Sequence, residues 1–266
     1  MFSYTFVKWI GGKGWLWKHI KPYLIEDHHD IYIEPFLGGG AIAIHYLKYC
    51  RKHNITKKFI LSDTNRGLIN AYIQIRDNID ELIDYLNELD SVESTKQLYY
   101  ERRKTYNKIP KDSIESAGFF IWLLANGWRG MYRVNKRNEY NAPFGKAKKH
   151  CYSLKTLKVL HTLFQDVNFR CCSFEDIEEN GIIYLDPPYV NTYQDYSLNA
   201  PTNEEINKFI SEHRDRSSIY ISNNDRFIPP NDSELIISTR VCEKAKKDNS
   251  GKREERVWSV RKIIAE

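Results

Sequence analysis

A four-residue turn, Asp186-Pro187-Pro188-Tyr189, has the residue types needed to hold a planar amine. It directly follows the apolar run at residues 181–185, and ligands gather where the strands of a parallel sheet end. Proline fixes its own φ and has no N–H, so the carbonyl groups of this turn face outward as acceptors. A carboxylate and a rigid carbonyl can accept both amine hydrogens, and the ring of Tyr189 offers a stacking surface worth about 1–3 kcal/mol. The turn therefore predicts an amine-binding site.

A second pattern, near the N-terminus, predicts a nucleotide-like ligand. A β-rich run at residues 31–36 ends in Leu37-Gly38-Gly39-Gly40, and a helical segment begins at Ala41. Glycine lets the backbone approach a ligand closely, and a helix N-terminus presents free N–H groups. Asp63 ends the next apolar run, where a carboxylate can accept hydrogen bonds from ribose hydroxyls. NAD and S-adenosylmethionine both carry an adenosine, so this pattern leaves both ligands open.

Composition excludes several classes of protein. The 266 residues include 40 Lys and Arg against 35 Asp and Glu, and the net charge of +5 permits a polyanionic partner without requiring one. No apolar stretch approaches the roughly 20 residues of a membrane helix, and the N-terminus does not resemble a secretory signal, so we expect no membrane association. The five cysteines form no Cys-x-x-Cys pair, which argues against disulfides and zinc and favours a reducing compartment. Cys171 and Cys172 are interpreted as strand packing residues.

The spacing of apolar residues places both motifs on an α/β sheet. Helical spacing from Leu68 to Leu89 predicts one helix of about six turns after the second strand, which ends at Asp63. Thr202 and Glu205 have the spacing of a capping box at a helix start. The remaining predicted elements are a helix at 154–164 and strands at 167–174, 181–185, 218–222, 235–239 and 257–264.

The segment from about residue 71 to 150 differs from the rest because it is basic and rich in aromatic residues. It contains an apolar helix from Ile114 to about Ala125 and an alternating stretch around Asn135–Asn138 that predicts a β-hairpin. We therefore predict an α/β core formed from both ends of the chain, residues 1–70 and 151–266, and interrupted by a basic, aromatic insertion at about 71–150.

Six motifs, in order, resemble those of the Dam-type DNA adenine-N6 methyltransferases along nearly the whole chain. They are Lys8-Trp9-Ile10-Gly11-Gly12-Lys13, Phe36-Leu37-Gly38-Gly39-Gly40, Ser62-Asp63-Thr64-Asn65, Asn141-Ala142-Pro143-Phe144-Gly145-Lys146, Asp186-Pro187-Pro188-Tyr189 and Ile221-Ser222-Asn223-Asn224-Asp225. The resemblance implies that residues 1–70 and 151–266 form a catalytic domain with a Rossmann-like S-adenosylmethionine-dependent methyltransferase sheet. It also implies that residues 71–150 form an inserted, mainly helical target-recognition domain that bears the hairpin. It also implies methyl transfer to a flipped-out adenine in duplex DNA. Asn224 and the pair Trp128-Arg129 depart from the family pattern, so the target sequence cannot be copied from a relative.

The resemblance also implies a role for each matched residue. Trp9 and Lys13 would close over S-adenosylmethionine, Asp63 would hold its ribose, and Asp186 would reach both cofactor and target amine. Arg133 would read a guanine edge. The implied cofactor-binding residues are Trp9, Lys13, Phe36, Gly38, Gly40, Asp63, Phe174 and Asp186; the catalytic residues are Asp186, Pro187 and Tyr189; the DNA-binding residues are Arg129, Arg133, Asn135, Pro143 and Lys146; and no metal is implied.

Other functions compete with this interpretation. An RNA or protein methyltransferase could use the same turn, and a catalytically silent nucleic-acid-binding module could keep the fold. A dehydrogenase would leave the Pro-Pro-Tyr turn unexplained. The basic hairpin favours double-stranded DNA as the partner. We expect a monomer in the cytoplasm, of prokaryotic or viral origin, with a restriction enzyme as a candidate partner in the cell.

Overall fold

Seven strands form one mixed sheet at the centre of the molecule. The computed structural model describes residues 5–9, 11–145, 152–188, 200–224, 226–242 and 252–260. The strands are β1 (Ile31–Glu34), β2 (Lys58–Ser62), β3 (Val167–Arg170), β4 (Ile182–Leu185), β5 (Ser218–Asn224), β6 (Glu234–Cys242) and β7 (Lys252–Val260). Their order across the sheet is β3-β2-β1-β4-β5-β7-β6.

The first five strands are parallel, and β7 runs antiparallel to both β5 and β6. The strand order reverses between β1 and β4, which is the point where open α/β sheets bind their ligands. The glycine turn follows β1 and the Asp-Pro-Pro turn follows β4. This sheet confirms the predicted Rossmann-like α/β fold, and it brings both sequence motifs to one edge.

Eight α-helices surround the sheet in the described part of the chain. They are α1 (Trp17–Ile25), α2 (Ala41–Lys52), α3 (Arg66–Asp77), α4 (Ile79–Asp90), α5 (Lys96–Lys108), α6 (Ile114–Asn126), α7 (Leu154–Phe164) and α8 (Asn203–His213). The sequence left α1 and α5 unpredicted. No described helix has both the length and the apolar content required to cross a membrane.

Each face of the sheet carries its own hydrophobic core. Along β4, Ile182 and Tyr184 enter one cluster while Ile183 and Leu185 enter the other, as expected of a parallel strand that is buried on both faces. The larger cluster includes residues of α1 to α7, and the smaller cluster includes the apolar face of α8. Because α4, α5 and α6 share the larger cluster with the sheet, the segment that the sequence predicts to be an insertion packs directly on the sheet.

The predicted six-turn helix is wrong in one respect, because Asn78 divides it into α3 and α4. Asn78 has φ −133° and ψ 48°, outside the helical region, and its backbone N–H closes α3 on the Gln74 carbonyl. Its side chain donates to Gln74 Oε1 at 2.7 Å. Both helices bury an apolar face, so the periodicity continues across the break. The predicted boundary at residue 70 falls inside α3, and the two-domain division stays a prediction.

The strand predicted at 167–174 is also shorter than expected. β3 ends at Arg170, and a short 3-10 helix at Phe174–Asp176 follows. The Ser173 side chain and Asp176 form a capping box there, which favours a helical turn over an extended strand. Cys171 and Cys172 both lie beyond the end of β3, so their predicted location in a strand is wrong. Cys171 is exposed, whereas the half-buried Cys172 packs against the smaller hydrophobic cluster, as its predicted packing role requires. The predicted capping box of Thr202 and Glu205 is confirmed at α8.

Candidate active site

The glycine turn after β1 has the backbone shape that only glycine adopts readily. Gly38 has φ +47° and Gly40, the N-cap of α2, has φ +63°. A Cβ on Gly38 would lie 2.8 Å from the indole nitrogen of Trp9, and one on Gly40 would lie 2.7 Å from the Tyr72 hydroxyl. The turn therefore brings Trp9 into close contact with bare backbone.

Asp63 is tied to this turn by hydrogen bonds. Its Oδ2 accepts from the Gly38 N–H at 3.0 Å and its Oδ1 accepts from the Asn65 N–H at 2.9 Å. Burial raises the pKa of Asp63, and hydrogen bonds from backbone N–H groups oppose the rise. The half-buried carboxyl group keeps lone pairs that could accept from ligand hydroxyls.

Asp186 lies at the end of β4 in a network of three side chains. Lys13 Nζ lies 2.9 Å from Asp186 Oδ1 and 3.1 Å from Oδ2, and it also donates to the Gly11 carbonyl at 2.9 Å. Ser222 Oγ donates to Asp186 Oδ1 at 2.9 Å and accepts from the Tyr184 hydroxyl at 2.9 Å. The carboxylate is therefore held in one orientation by partners from the N-terminal segment and from β5.

Sequence reasoning assigned no role to Ser222, Tyr184, Glu34 or Glu255, and all four lie around Asp186 and Lys13. Glu255 Oε1 on β7 lies 3.7 Å from Lys13 Nζ. A signal was present for Ser222, because β5 follows β4 in the sheet and parallel neighbours end at the same edge. No comparable signal exists for Glu255, whose strand runs in the opposite direction.

Glu34, the last residue of β1, is a buried carboxyl group near Asp186. Its side chain accepts a hydrogen bond from the Tyr32 hydroxyl at 2.7 Å. Burial raises the pKa of Glu34 to about 8; the Tyr32 hydrogen bond opposes that rise, and the negative charge of Asp186 adds to it. Glu34 therefore carries a proton at neutral pH.

Two aromatic pairs flank the strand ends. Phe36 and Phe174 have ring centroids 5.2 Å apart, and Phe174 also packs on Phe209 of α8. Trp9 stacks on Tyr132 of the inserted segment at 5.7 Å. The predicted cofactor residues thus meet in three contacting groups: Trp9 with Gly38 and Asp63, Lys13 with Asp186, and Phe36 with Phe174.

The predicted hairpin is confirmed by an antiparallel bridge between Val134 and Tyr140. Asn135 builds its tip, because its side-chain oxygen accepts from the N–H groups of Arg137 and Glu139 and its amide donates to Glu139. Arg133 is exposed, and its carbonyl accepts from the Asn141 N–H at 2.9 Å. The predicted DNA-reading side chain of Arg133 therefore stands on a hydrogen-bonded turn.

The other predicted DNA-binding residues lie beside the hairpin or outside the described residues. Arg129 has φ +57° and places its guanidinium 4.4 Å from the ring centre of the exposed Trp128. The carbonyl of exposed Pro143 accepts from the Trp128 N–H at 2.8 Å. Lys146 and the catalytic candidate Tyr189 lie outside the described residues.

Within the described ranges, no three His, Cys, Asp or Glu side chains converge where a metal ion could bind.

Comparisons with known proteins extend along most of the chain. A family model described as "D12 class N6 adenine-specific DNA methyltransferase" matches residues 9–248. The type II methyltransferase M.MjaIII of Methanocaldococcus jannaschii is 32% identical over 219 residues, which are 76% of this chain and 74% of that protein. The DNA adenine methylase of Haemophilus influenzae is 29% identical over 207 residues, 76% of this chain and 69% of its own. The chain also matches a solved structure of the rRNA methyltransferase aviRa from Streptomyces viridochromogenes. That match spans 93% of this chain and 84% of the other, with 11% sequence identity and a TM-score of 0.39.

Proposed function

The chain belongs to the D12 class of N6 adenine-specific DNA methyltransferases and methylates adenine in DNA, and from this premise we propose that Asp186 holds the target amine while S-adenosylmethionine binds along the glycine turn. The single observation that carries the proposal is the position of Asp186. It lies at the end of β4, beside the switch point of the sheet, and Lys13 and Ser222 hold its carboxylate.

The residues present fit the cofactor. Gly38 and Gly40 leave backbone bare where a Cβ would collide with its neighbours, and Asp63 offers a half-buried carboxyl group for ribose hydroxyls. Trp9 and Lys13 would close the pocket from the N-terminal side, and Phe36 with Phe174 would flank the adenine. S-adenosylmethionine supplies a methyl group on a sulfonium, which is an electrophile that needs no metal or covalent enzyme intermediate.

The hydrogen bonds at Asp186 suggest which oxygen takes the amine. A carboxylate offers about two acceptor positions on each oxygen. Oδ1 accepts from Ser222 and lies 2.9 Å from Lys13 Nζ, whereas Oδ2 accepts from Lys13 and, within the described residues, has no second donor. Oδ2 would therefore accept one N6 hydrogen, and the Pro187 carbonyl would accept the other. This geometry draws the nitrogen lone pair out of the ring, and Oδ2 stands ready to take the proton that the methylated amine loses.

The adenine must leave the helix to reach this pocket, because its amine is paired in duplex DNA. Flipping costs a few kcal/mol of unstacking, which stacking on Tyr189 would partly offset. Arg133 would then supply sequence discrimination at one guanine, while Arg129, Asn135, Pro143 and Lys146 would position the duplex.

The inserted segment, residues 71–150, would act as the recognition domain of a monomer. Such an enzyme would work in the cytoplasm of a prokaryote or in a virus-infected cell, with or without a cognate restriction enzyme.

Mapping methylated adenines tests the function directly. The chain would be expressed in cells without adenine methylation, and their DNA sequenced for N6-methyladenine. We expect one recurring sequence around every modified adenine and no modification with Asp186→Ala. The matched control is Asp166→Ala, because Asp166 is a surface carboxylate that pairs with Arg51 and directly precedes β3. Modification that persists in Asp186→Ala would remove Asp186 from the mechanism.

A further inference from the structure

Tyr132 touches both parts of the predicted cofactor pocket. Its ring stacks on Trp9 with 5.7 Å between centroids and 21° between planes. Its hydroxyl lies within electrostatic range of Asp63 and near the side chain of Asn65, which caps α3 two residues after Asp63. Burial raises the pKa of Tyr132 to about 12, with the charge of Asp63 adding to the rise, so the hydroxyl keeps its proton at neutral pH.

Tyr132 is equally part of the recognition hairpin. It immediately precedes Arg133, whose carbonyl closes the hairpin on Asn141. Its ring also packs against Tyr140 at 5.7 Å and against Phe120 of α6 at 5.8 Å. A displacement of Tyr132 would therefore be transmitted to the base of the turn that carries Arg133.

We propose that Tyr132 is a positioning residue that couples filling of the cofactor pocket to the placement of Arg133 on DNA. Trp9 lies against the bare backbone of Gly38, so a ligand that fills this turn must fix or move the indole. Because the Tyr132 ring is stacked on that indole, a ligand that fixes or moves the indole would also fix or move the Tyr132 ring. The coupling rests on the proposed function, and by thermodynamic linkage it is reciprocal: cofactor and duplex DNA tighten each other's binding by the same factor.

The test is a binding titration. S-adenosylhomocysteine, which has no methyl group to transfer, is titrated into the protein with and without a duplex that contains the mapped sequence. We expect the duplex to tighten binding by roughly 5- to 150-fold in the unmodified protein. Tyr132→Leu should bring this ratio to within about twofold of unity, and Tyr132→Phe, which keeps the stack and loses the hydroxyl, should give an intermediate ratio. Tyr49→Phe, near the far end of α2, is the matched control and should leave the ratio unchanged.

Three results would overturn the proposal. The first is a ratio of one in the unmodified protein. The second is an unchanged ratio in Tyr132→Leu. The third is a loss of affinity in Tyr132→Leu that is equal with and without DNA, because Tyr132 would then only line the pocket. Thermal unfolding checks that each variant folds, and Tyr132→Phe decides the question if Tyr132→Leu does not. Failure of the proposed function would show separately, as absent methylation in the mapping experiment.

Discussion

Replacing Ser222 with alanine isolates the hydrogen bond that orients Asp186. Ser222 Oγ donates to Asp186 Oδ1 at 2.9 Å, and the substitution removes that donor without adding bulk. Lys13 still contacts both carboxylate oxygens. The charge of the site is therefore unchanged, and the orientation of Asp186 becomes less restricted. We expect kcat to fall while the affinity for S-adenosylhomocysteine stays the same.

The size of the effect follows from the number of donors that remain. A hydrogen bond to a charged group contributes about 1.5–3 kcal/mol net. Because Lys13 remains, we expect the lower end of that range, which corresponds to roughly a tenfold loss of kcat. The fold also suffers, since the buried hydroxyl of Tyr184 loses its acceptor, at a cost of about 1–3 kcal/mol in the free energy of unfolding.

A second substitution separates these two effects. Tyr184→Phe removes the hydroxyl that Ser222→Ala leaves unpaired, so the double variant should recover most of the lost stability. It should not recover kcat, because the donor to Asp186 is still missing. Single-turnover methyl transfer and urea unfolding measure the two quantities.

The control is Ser259→Ala, which removes a buried hydroxyl from β7 that has no hydrogen-bond partner among the described residues. We expect this variant to keep its kcat. A Ser222→Ala enzyme with unchanged kcat would refute the orienting role, and so would a double variant that regains full activity.

Three further predictions concern other parts of the site. The pKa of Glu34 is raised from 4.5 to about 8. Between these pH values the folded protein keeps a proton that the unfolded chain has released. The free energy of unfolding should therefore fall as the pH rises from 4.5 to 8, by up to about 1.4 kcal/mol per pH unit. Glu34→Gln should flatten that slope in urea titrations, and an unaltered slope would contradict the raised pKa. Gly38→Ala, at φ +47° and with its Cβ 2.8 Å from the Trp9 indole, should weaken cofactor binding by about tenfold or more, whereas Gly14→Ala, with open space around it, should not. Arg133→Ala should cost about 1–3 kcal/mol of discrimination at one base pair in competition assays, and equal losses on all sequences would identify a phosphate contact instead.

The order of elements could be predicted from the sequence because each strand near the site is a short apolar run bounded by polar residues or glycine. Such local signals also placed α6, α7 and α8 correctly. They failed where a boundary depends on one polar side chain. Asn78 ends α3 without interrupting the apolar periodicity, and the capping box of Ser173 turns the chain after β3. α5 has Tyr99 and Tyr106 as its buried residues, with a strongly polar remainder, so it presents little of the periodicity that predicts a helix.

In the site too, the features formed by neighbouring residues could be predicted, and the contacts between residues distant in sequence could not. The Asp-Pro-Pro turn is one contiguous stretch of sequence, and so is the glycine turn. The residue types within each stretch therefore indicated its chemistry. The orientation of Asp186 depends instead on Lys13, 173 residues earlier, and on Ser222, 36 residues later. Those contacts arise because the sheet places β5 beside β4 and the N-terminal segment over their ends. A substitution at either distant partner should therefore alter catalysis while the local motif stays intact, which is why the motif alone is insufficient evidence of an active enzyme.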